Sequence, residues 1–333
     1  MRGIAILGIV AHNYWHMIGG IVKENEFQWS SANVQAFLAS LSNFGESLPF
    51  DVVSFFGHYG VPVFLFLSGY GLEMKYGHGD LSLERWRLSG RHYVKLFKMM
   101  LPGLLVSMAM ACWCIGLAHN YSLLETFAMF MLVSNFFPDP AAVIFPGPYW
   151  FFGLMLQLYA IYFLVLCRRS LSWTMTLVAV CVLLQLLILP ESSYMKWYRY
   201  NFMGSMLPFG VGIAFARGWL GRGSDRSTLL LLVGLASYCL LAFACLWSLT
   251  WTIAPLFACY AVLCLAKLCA RMRFTGTVLE WVGSISAALF VWHPIVRSVL
   301  IVQDVNKYIG FLLFVVFSGV LALMMSRKIV GRS

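Results

Sequence analysis

Charge is what this sequence lacks. Only 11% of its 333 residues are Asp, Glu, Lys or Arg, and just 13 are acidic. A soluble globular domain carries about 25% charged and roughly 45–50% apolar residues. Here 61% are hydrophobic. That excludes a soluble domain and points to a polytopic membrane protein. Other absences narrow the class. The nine cysteines form no Cys-x-x-Cys pair and no cluster with zinc spacing, so they read as apolar packing, and no metal is expected. No internal repeat and no soluble domain is visible, so residues 1–333 read as one membrane-embedded domain. The first segment has a basic start and an apolar run but no A-x-A-like cleavage site. It reads as a membrane helix rather than a signal peptide.

What is present is a series of apolar runs. A spanning helix needs about 20 mostly apolar residues. Ten runs qualify: 3–22, 52–72, 99–118, 149–167, 171–189, 202–216, 228–247, 250–266, 283–302 and 309–326. The stretch 121–137 is also apolar but ends in FPDPAAVIFPGP, and reads as an interfacial or re-entrant piece. Ten spans put 18 of the 23 basic residues on one side with 5 acidic ones, and 5 basic with 8 acidic on the other. The net charges are then +13 and −3. The positive-inside rule places both termini in the cytoplasm. The expected fold is an all-α bundle of about ten transmembrane helices.

Polar groups within these runs are the candidate site. Charged groups at mid-bilayer cost about 2.5–3.5 kcal/mol on insertion scales, so they face a cavity or a partner. His12 and His16 lie four apart on one helix face, with Asn13 about 100° round. Packing between helices is the alternative use for such a pair. His293 lies mid-span before Pro294, which frees a carbonyl near Phe290. Arg297 shares its face; the alternative is a kinked helix with Arg297 snorkelling to the interface. In LERWRLSGRHYVKLFKMMLPG, helical spacing aligns Arg87, Arg91, Lys95 and Lys98 as one basic stripe. Such a stripe suits a polyphosphate ligand or anionic lipid. GHYGVPVFLFLSGYGLEMKY is rich in small residues, which permit either close packing or room for substrate.

These stretches together resemble the bacterial integral-membrane acyltransferases of family 3. RGIAILGIVAH is similar to their Arg…His motif, and GVPVFLFLSGYGL to their GV-x-x-F-F-x-L-S-G-F segment. RHYVKLFKMMLPG resembles the basic run that follows. YWFFGLMLQLY resembles the W-F-L…Y segment, and VGSISAALFVWHPIV the late motif with a central histidine. The order matches over nearly the whole chain. Three positions depart from the pattern. One residue fewer separates Arg2 from His12, Gln157 stands where an acid is expected, and Ala287 where tyrosine is usual.

The resemblance implies transfer of an acyl group, often acetyl, from acetyl-CoA or another acyl-CoA to an envelope acceptor, such as a glycan or lipid-linked sugar. It implies a multi-pass protein of the cytoplasmic membrane, with no permanently bound cofactor and no nucleic-acid partner. His12 and His293 become the expected catalytic residues, supported by Arg2, Asn13, His16 and Arg297. Arg87, Arg91, Lys95 and Lys98 become the expected donor contacts. Gly60, Ser68, Gly69 and Trp150 are expected at the substrate pocket. A neutral His12 suits general-base chemistry on an acceptor hydroxyl, and an acyl-histidine intermediate is the alternative. Two other classes fit parts of the pattern. A transporter of a glycan or small anion would use midplane ionisable residues but commonly shows repeat symmetry. A non-catalytic membrane scaffold leaves His12 and His293 unexplained.

Overall fold

A computed structural model describes residues 1–77, 85–113, 119, 121–218, 226–302 and 306–330. The end of the expected third span (114–118), Cys114, and the basic residues Arg222 and Arg332 lie outside the described residues. Described secondary structure is helical throughout. The helices are α1 (Arg2–Trp15), α2 (Ser31–Asn43), α3 (Leu48–Phe56), α4 (Gly60–Tyr76), α5 (Arg85–Trp113), α6 (Leu123–Met131), α7 (Pro140–Val143), α8 (Trp150–Ile161), α9 (Leu171–Leu187), α10 (Ser193–Tyr200), α11 (Phe202–Ala216), α12 (Ser227–Cys245), α13 (Ser248–Trp251), α14 (Ala254–Arg271), α15 (Arg273–Ser284), α16 (Ser286–Val302) and α17 (Lys307–Val330).

Each of the ten expected runs overlaps at least one of these helices, but fewer than ten of the described helices have the length and apolarity of a span. Six helices among the described residues are long and apolar enough to cross a membrane: Leu48–Tyr76, Trp86–Ala111, Gly147–Leu166, Ser227–Cys245, Ala254–Arg271 and Lys307–Ser326. A seventh is the bent pair α15–α16. Two more, α9 and α11, are apolar but shorter. The first helix has 14 residues and stops at Trp15, short of the expected 22. Beyond it, Gly20 turns the chain at φ +77°, a left-handed conformation that glycine adopts without steric cost. The segment expected at the interface holds α6, of nine residues, opened by a capping box between Ser122 and Glu125. That is too short to span a bilayer. The late span bends by 69°, between α15 and α16, one residue after Ser284. The chain stays helical through Pro294.

Glycine-mediated contact sets the spacing of the central helices. A side chain on Gly69 would collide with the carbonyl oxygen of Phe209, and one on Gly212 with that of Phe66. The backbones of α4 and α11 therefore touch, as small residues allow in membranes. α1 is wedged among α3, α4, α15 and α16, burying Ala5, Ile6, Ile9, Val10, Tyr14 and Trp15. Polar clamps fix the surroundings. Arg217 Nε donates to Glu73 Oε1 at 2.9 Å, and the Tyr162 hydroxyl donates to Glu73 Oε2 at 3.0 Å. Gln157 Nε2 donates to Asn201 Oδ1 at 2.9 Å while its Oε1 accepts from the Phe202 amide at 3.0 Å. A carboxylate at position 157 would supply no donor for Asn201. The amide is the group that satisfies both neighbours.

Candidate active site

The last turn of α1 carries the site. Ile6, Ile9 and Val10 bury the helix, and the same face brings His12 into the interior, 2% exposed. His12 Nδ1 lies 2.7 Å from the carbonyl oxygen of Ser54 on α3. A carbonyl only accepts, so Nδ1 carries the proton in the neutral ring and Nε2 keeps a free lone pair. Gly57 makes room for this arrangement. A Cβ there would stand 2.6 Å from His12 Cβ, too close for any side chain.

Two further imidazoles stand beside His12. The ring centroids of His16 and His58 are 4.7 and 5.6 Å away. His16 Nδ1 meets both carboxylate oxygens of Glu24, at 3.2 and 3.3 Å. His16 Nε2 and both ring nitrogens of His58 are buried without a hydrogen-bond partner. Glu24 lies in the loop after α1. Burial opposes its ionisation, but the His16 hydrogen bond and the nearby imidazoles outweigh it and hold the carboxyl well below the usual range. Glu26, two residues on, behaves oppositely. Burial, then the charge of Glu24, push it up to about 8 against the pull of Arg199.

The late motif docks on α1. Arg297 is buried and donates to the backbone carbonyl and side-chain Oδ1 of Asn13, each at 3.0 Å. It does not snorkel to an interface. Asn13 in turn donates to Ile9 O at 3.0 Å. His293 Nδ1 lies 2.9 Å from Leu289 O, and its Nε2 has no partner. The Tyr149 hydroxyl pins the same helix by donating to Val291 O at 3.0 Å.

A cavity of about 210 Å³ runs beside α1 as far as Ile9, and neither His12 nor His293 lines it. Arg2, Ser68, His92, Lys95 and Tyr159 line it together with Ile9 and Phe290. Ile9 is one turn before His12 on the same face. The ring of Phe290 is 5.9 Å from that of His293. A wider cleft of about 790 Å³, lined by Arg2, Arg273, Thr277 and Glu280, adjoins it through Arg2 and Leu67.

The expected site residues are thus distributed unevenly. His12, Asn13, His16 and Arg297 come together; Arg2, Ser68 and Lys95 share the cavity. Arg87, Arg91 and Lys98 are exposed on α5 and do not border it. Gly60 packs on Ala5 and Ile9, Gly69 on Phe209. Trp150 is buried, with its ring 5.1 Å from that of Phe27 and 5.6 Å from that of Tyr200. Sequence reasoning missed Glu24, His58 and His92. His92 had a signal: Leu88, His92 and Leu96 fall at i, i+4 and i+8, the interior face of α5.

Residues 1–326 match the model of acyltransferase family 3, described as an acyltransferase domain. The chain belongs to that family. No curated protein and no solved structure matches it. As a family-3 acyltransferase with six or seven helices among the described residues able to cross a membrane, it is a multi-pass membrane acyltransferase.

Proposed function

We propose that this family-3 acyltransferase moves an acyl group, acetyl in the simplest case, from acyl-CoA to a hydroxyl of an envelope glycan or lipid-linked sugar. The donor enters from the cytoplasmic side of the cell membrane. The observation that carries this reading is the cavity that begins at the cations Arg2 and Lys95 and ends at Ile9 and Phe290, one turn from His12 and His293. Cations at the mouth suit coenzyme phosphates, through charge-assisted hydrogen bonds. Ten residues of helix separate Arg2 from His12, about 15 Å at 1.5 Å per residue, so the phosphates and the reacting carbon sit at different depths.

The chemistry then follows from the free lone pair. His12 Nε2 takes the proton of the acceptor hydroxyl as its oxygen attacks the thioester carbon. The C–S bond breaks, and the coenzyme thiolate leaves and is reprotonated. Arg297 stabilises the developing oxyanion, and His293, whose Nδ1 faces Leu289 O, offers its Nε2 lone pair as a second proton acceptor. In this reading the chain crosses the membrane ten times, with both termini in the cytoplasm. The 18-to-5 split of basic residues supports that topology.

Two experiments test the proposal. Membranes containing the protein, incubated with labelled acetyl-CoA, should transfer label to a glycan or lipid fraction and release free thiol. Thiol release without labelled acceptor, or neither, overturns the transfer reaction. Single cysteines in a background cleared of native ones test the topology. One at Asn306 should react with an impermeant reagent from outside, and one at Ser224, outside the described residues, should not. The reverse pattern overturns it.

A further inference from the structure

The imidazole cluster at the loop-side end of α1 contains more unpaired nitrogen than acyl transfer uses. One ligand-capable atom from each of His12, His16 and Glu24 lies within 4.8 Å of the other two. His58, 3% exposed, stands beside them with neither nitrogen bonded. A buried polar atom without a partner destabilises the fold, and His16 Nε2 and the two His58 nitrogens make three such atoms. We propose that His12, His16 and Glu24 form a binding site for a divalent transition-metal ion of the zinc class, with His58 as a fourth ligand.

The donor set argues for this class. Two histidines at i and i+4 with one carboxylate are a ligand set that zinc favours. Imidazole nitrogens select zinc, copper or nickel over magnesium and calcium, which prefer oxygen. Metal-bound histidines anchor their second nitrogen on a carbonyl or carboxylate, and His12 Nδ1 on Ser54 O already has that arrangement. A tetrahedral ion with bonds of about 2.0–2.1 Å spaces its ligand atoms roughly 3.3 Å apart. Side-chain rotation of His16 and Glu24 closes the remaining gap. Their side chains are 20% and 14% exposed, which gives the ion an entry route from the loop. Glu24 joins from a loop eight residues after His16, so sequence spacing gave no metal signature and no metal was expected.

Occupancy has a consequence that rests on the proposed function. A metal on His12 Nε2 removes the lone pair that accepts the hydroxyl proton, so the loaded enzyme is inhibited. The site itself is independent of that reading and is tested without activity. Full-length protein in detergent, stripped with chelator, should bind one equivalent of Co²⁺ with the visible absorption of a four-coordinate nitrogen–oxygen site, displaced by Zn²⁺. His16→Gln and Glu24→Gln should each weaken binding about tenfold or more, and His58→Ala should also weaken it. Electron paramagnetic resonance of Cu²⁺ on the unmutated chain should show coupling to at least two imidazole nitrogens, a readout that needs no variant to fold. Absence of binding, a thiolate charge-transfer band, or unchanged affinity in Glu24→Gln overturns the site. Unchanged affinity in His58→Ala overturns the fourth ligand. If Zn²⁺ binds as described yet leaves acyl transfer intact, the metal site stands and the assignment of His12 as base falls.

Discussion

Two buried polar clusters lie on neighbouring helices and are built on opposite rules. At one, Glu73 on α4 is held by Arg217 at 2.9 Å and Tyr162 at 3.0 Å, and Arg217 also donates to Arg169 O at 2.7 Å. Both carboxylate oxygens have partners. At the other, the rings of His12, His16 and His58 lie together, and three of their nitrogens have none. Burying polar groups is costly unless their hydrogen bonds are made. The first cluster makes them and locks α4 to α8 and α11. The second leaves three nitrogens unpaired, which is the feature the proposed metal site explains. The comparison separates a satisfied clamp from an unsatisfied cluster without reference to where either lies in the membrane.

The largest expected effect probes the open cluster. A general base contributes about 10²–10⁴ in rate, so His12→Ala should lose nearly all acyl transfer while still migrating as a folded monodisperse species. His12→Gln keeps a hydrogen bond to Ser54 O but cannot take up the proton, and should fail equally. Recovery of thiol release in the glutamine variant alone would make His12 a strut and erase the contrast. Next comes the clamp. Arg217→Ala leaves the Glu73 charge buried and uncompensated, which costs about 3 kcal/mol. Thermal unfolding should fall clearly while turnover per folded molecule stays at the parent level. A loss of turnover instead would place the clamp in the reaction machinery.

Smaller effects are expected at the donor end. Only Lys95 of the basic stripe borders the cavity. Lys95→Ala should raise the donor KM about tenfold, as loss of one charge-assisted contact predicts, and Arg91→Ala should raise it less. Added salt should raise the donor KM of the parent enzyme too. Equal effects at both positions would mean that the stripe acts as a diffuse field. The smallest effect concerns Glu26. Its carboxyl binds a proton more tightly in the folded chain than in the unfolded one. Its contribution to stability is therefore complete below about pH 4.5 and is lost as pH rises to about 8. Glu26→Gln removes that loss, so the variant should gain stability over the parent at pH 8 but not at pH 5. The gain is on the order of 1 kcal/mol for a side chain that water partly screens. A thermal melt at both values checks this; a gain at pH 5 would contradict it.

How much of this was legible in the sequence depends on distance along the chain. The apolar runs located their helices because hydrophobic length is a local property. His12 and His16 announced themselves for the same reason, four residues apart on one face. The Arg297–Asn13 link joins groups that the sequence marked separately but could not pair. His58 was hidden because residues 57–59 read as part of one continuous span, whereas the chain tightens there into a single turn between α3 and α4. That break is what lets Gly57 admit His12. Glu24 was hidden in a loop whose path no periodicity describes. Conversely, the glycines of α4 admitted either packing or a pocket, and only the contacts of Gly60 and Gly69 with neighbouring helices distinguish the two at those positions.

The hydrogen bond between Arg297 and Asn13 closes a loop of 284 residues. A ribosome extending the chain at about 5–20 residues per second needs roughly 15–60 s to travel that distance. Throughout that interval the helix bearing His12 waits in the membrane without its partner. The cavity beside α1 also lacks a wall until Ser286 and Phe290 arrive. A nascent chain therefore has no closed cavity beside α1 until α16 has been made. The helix that carries His293 and Arg297 meets α1 only after some 284 further residues have been made.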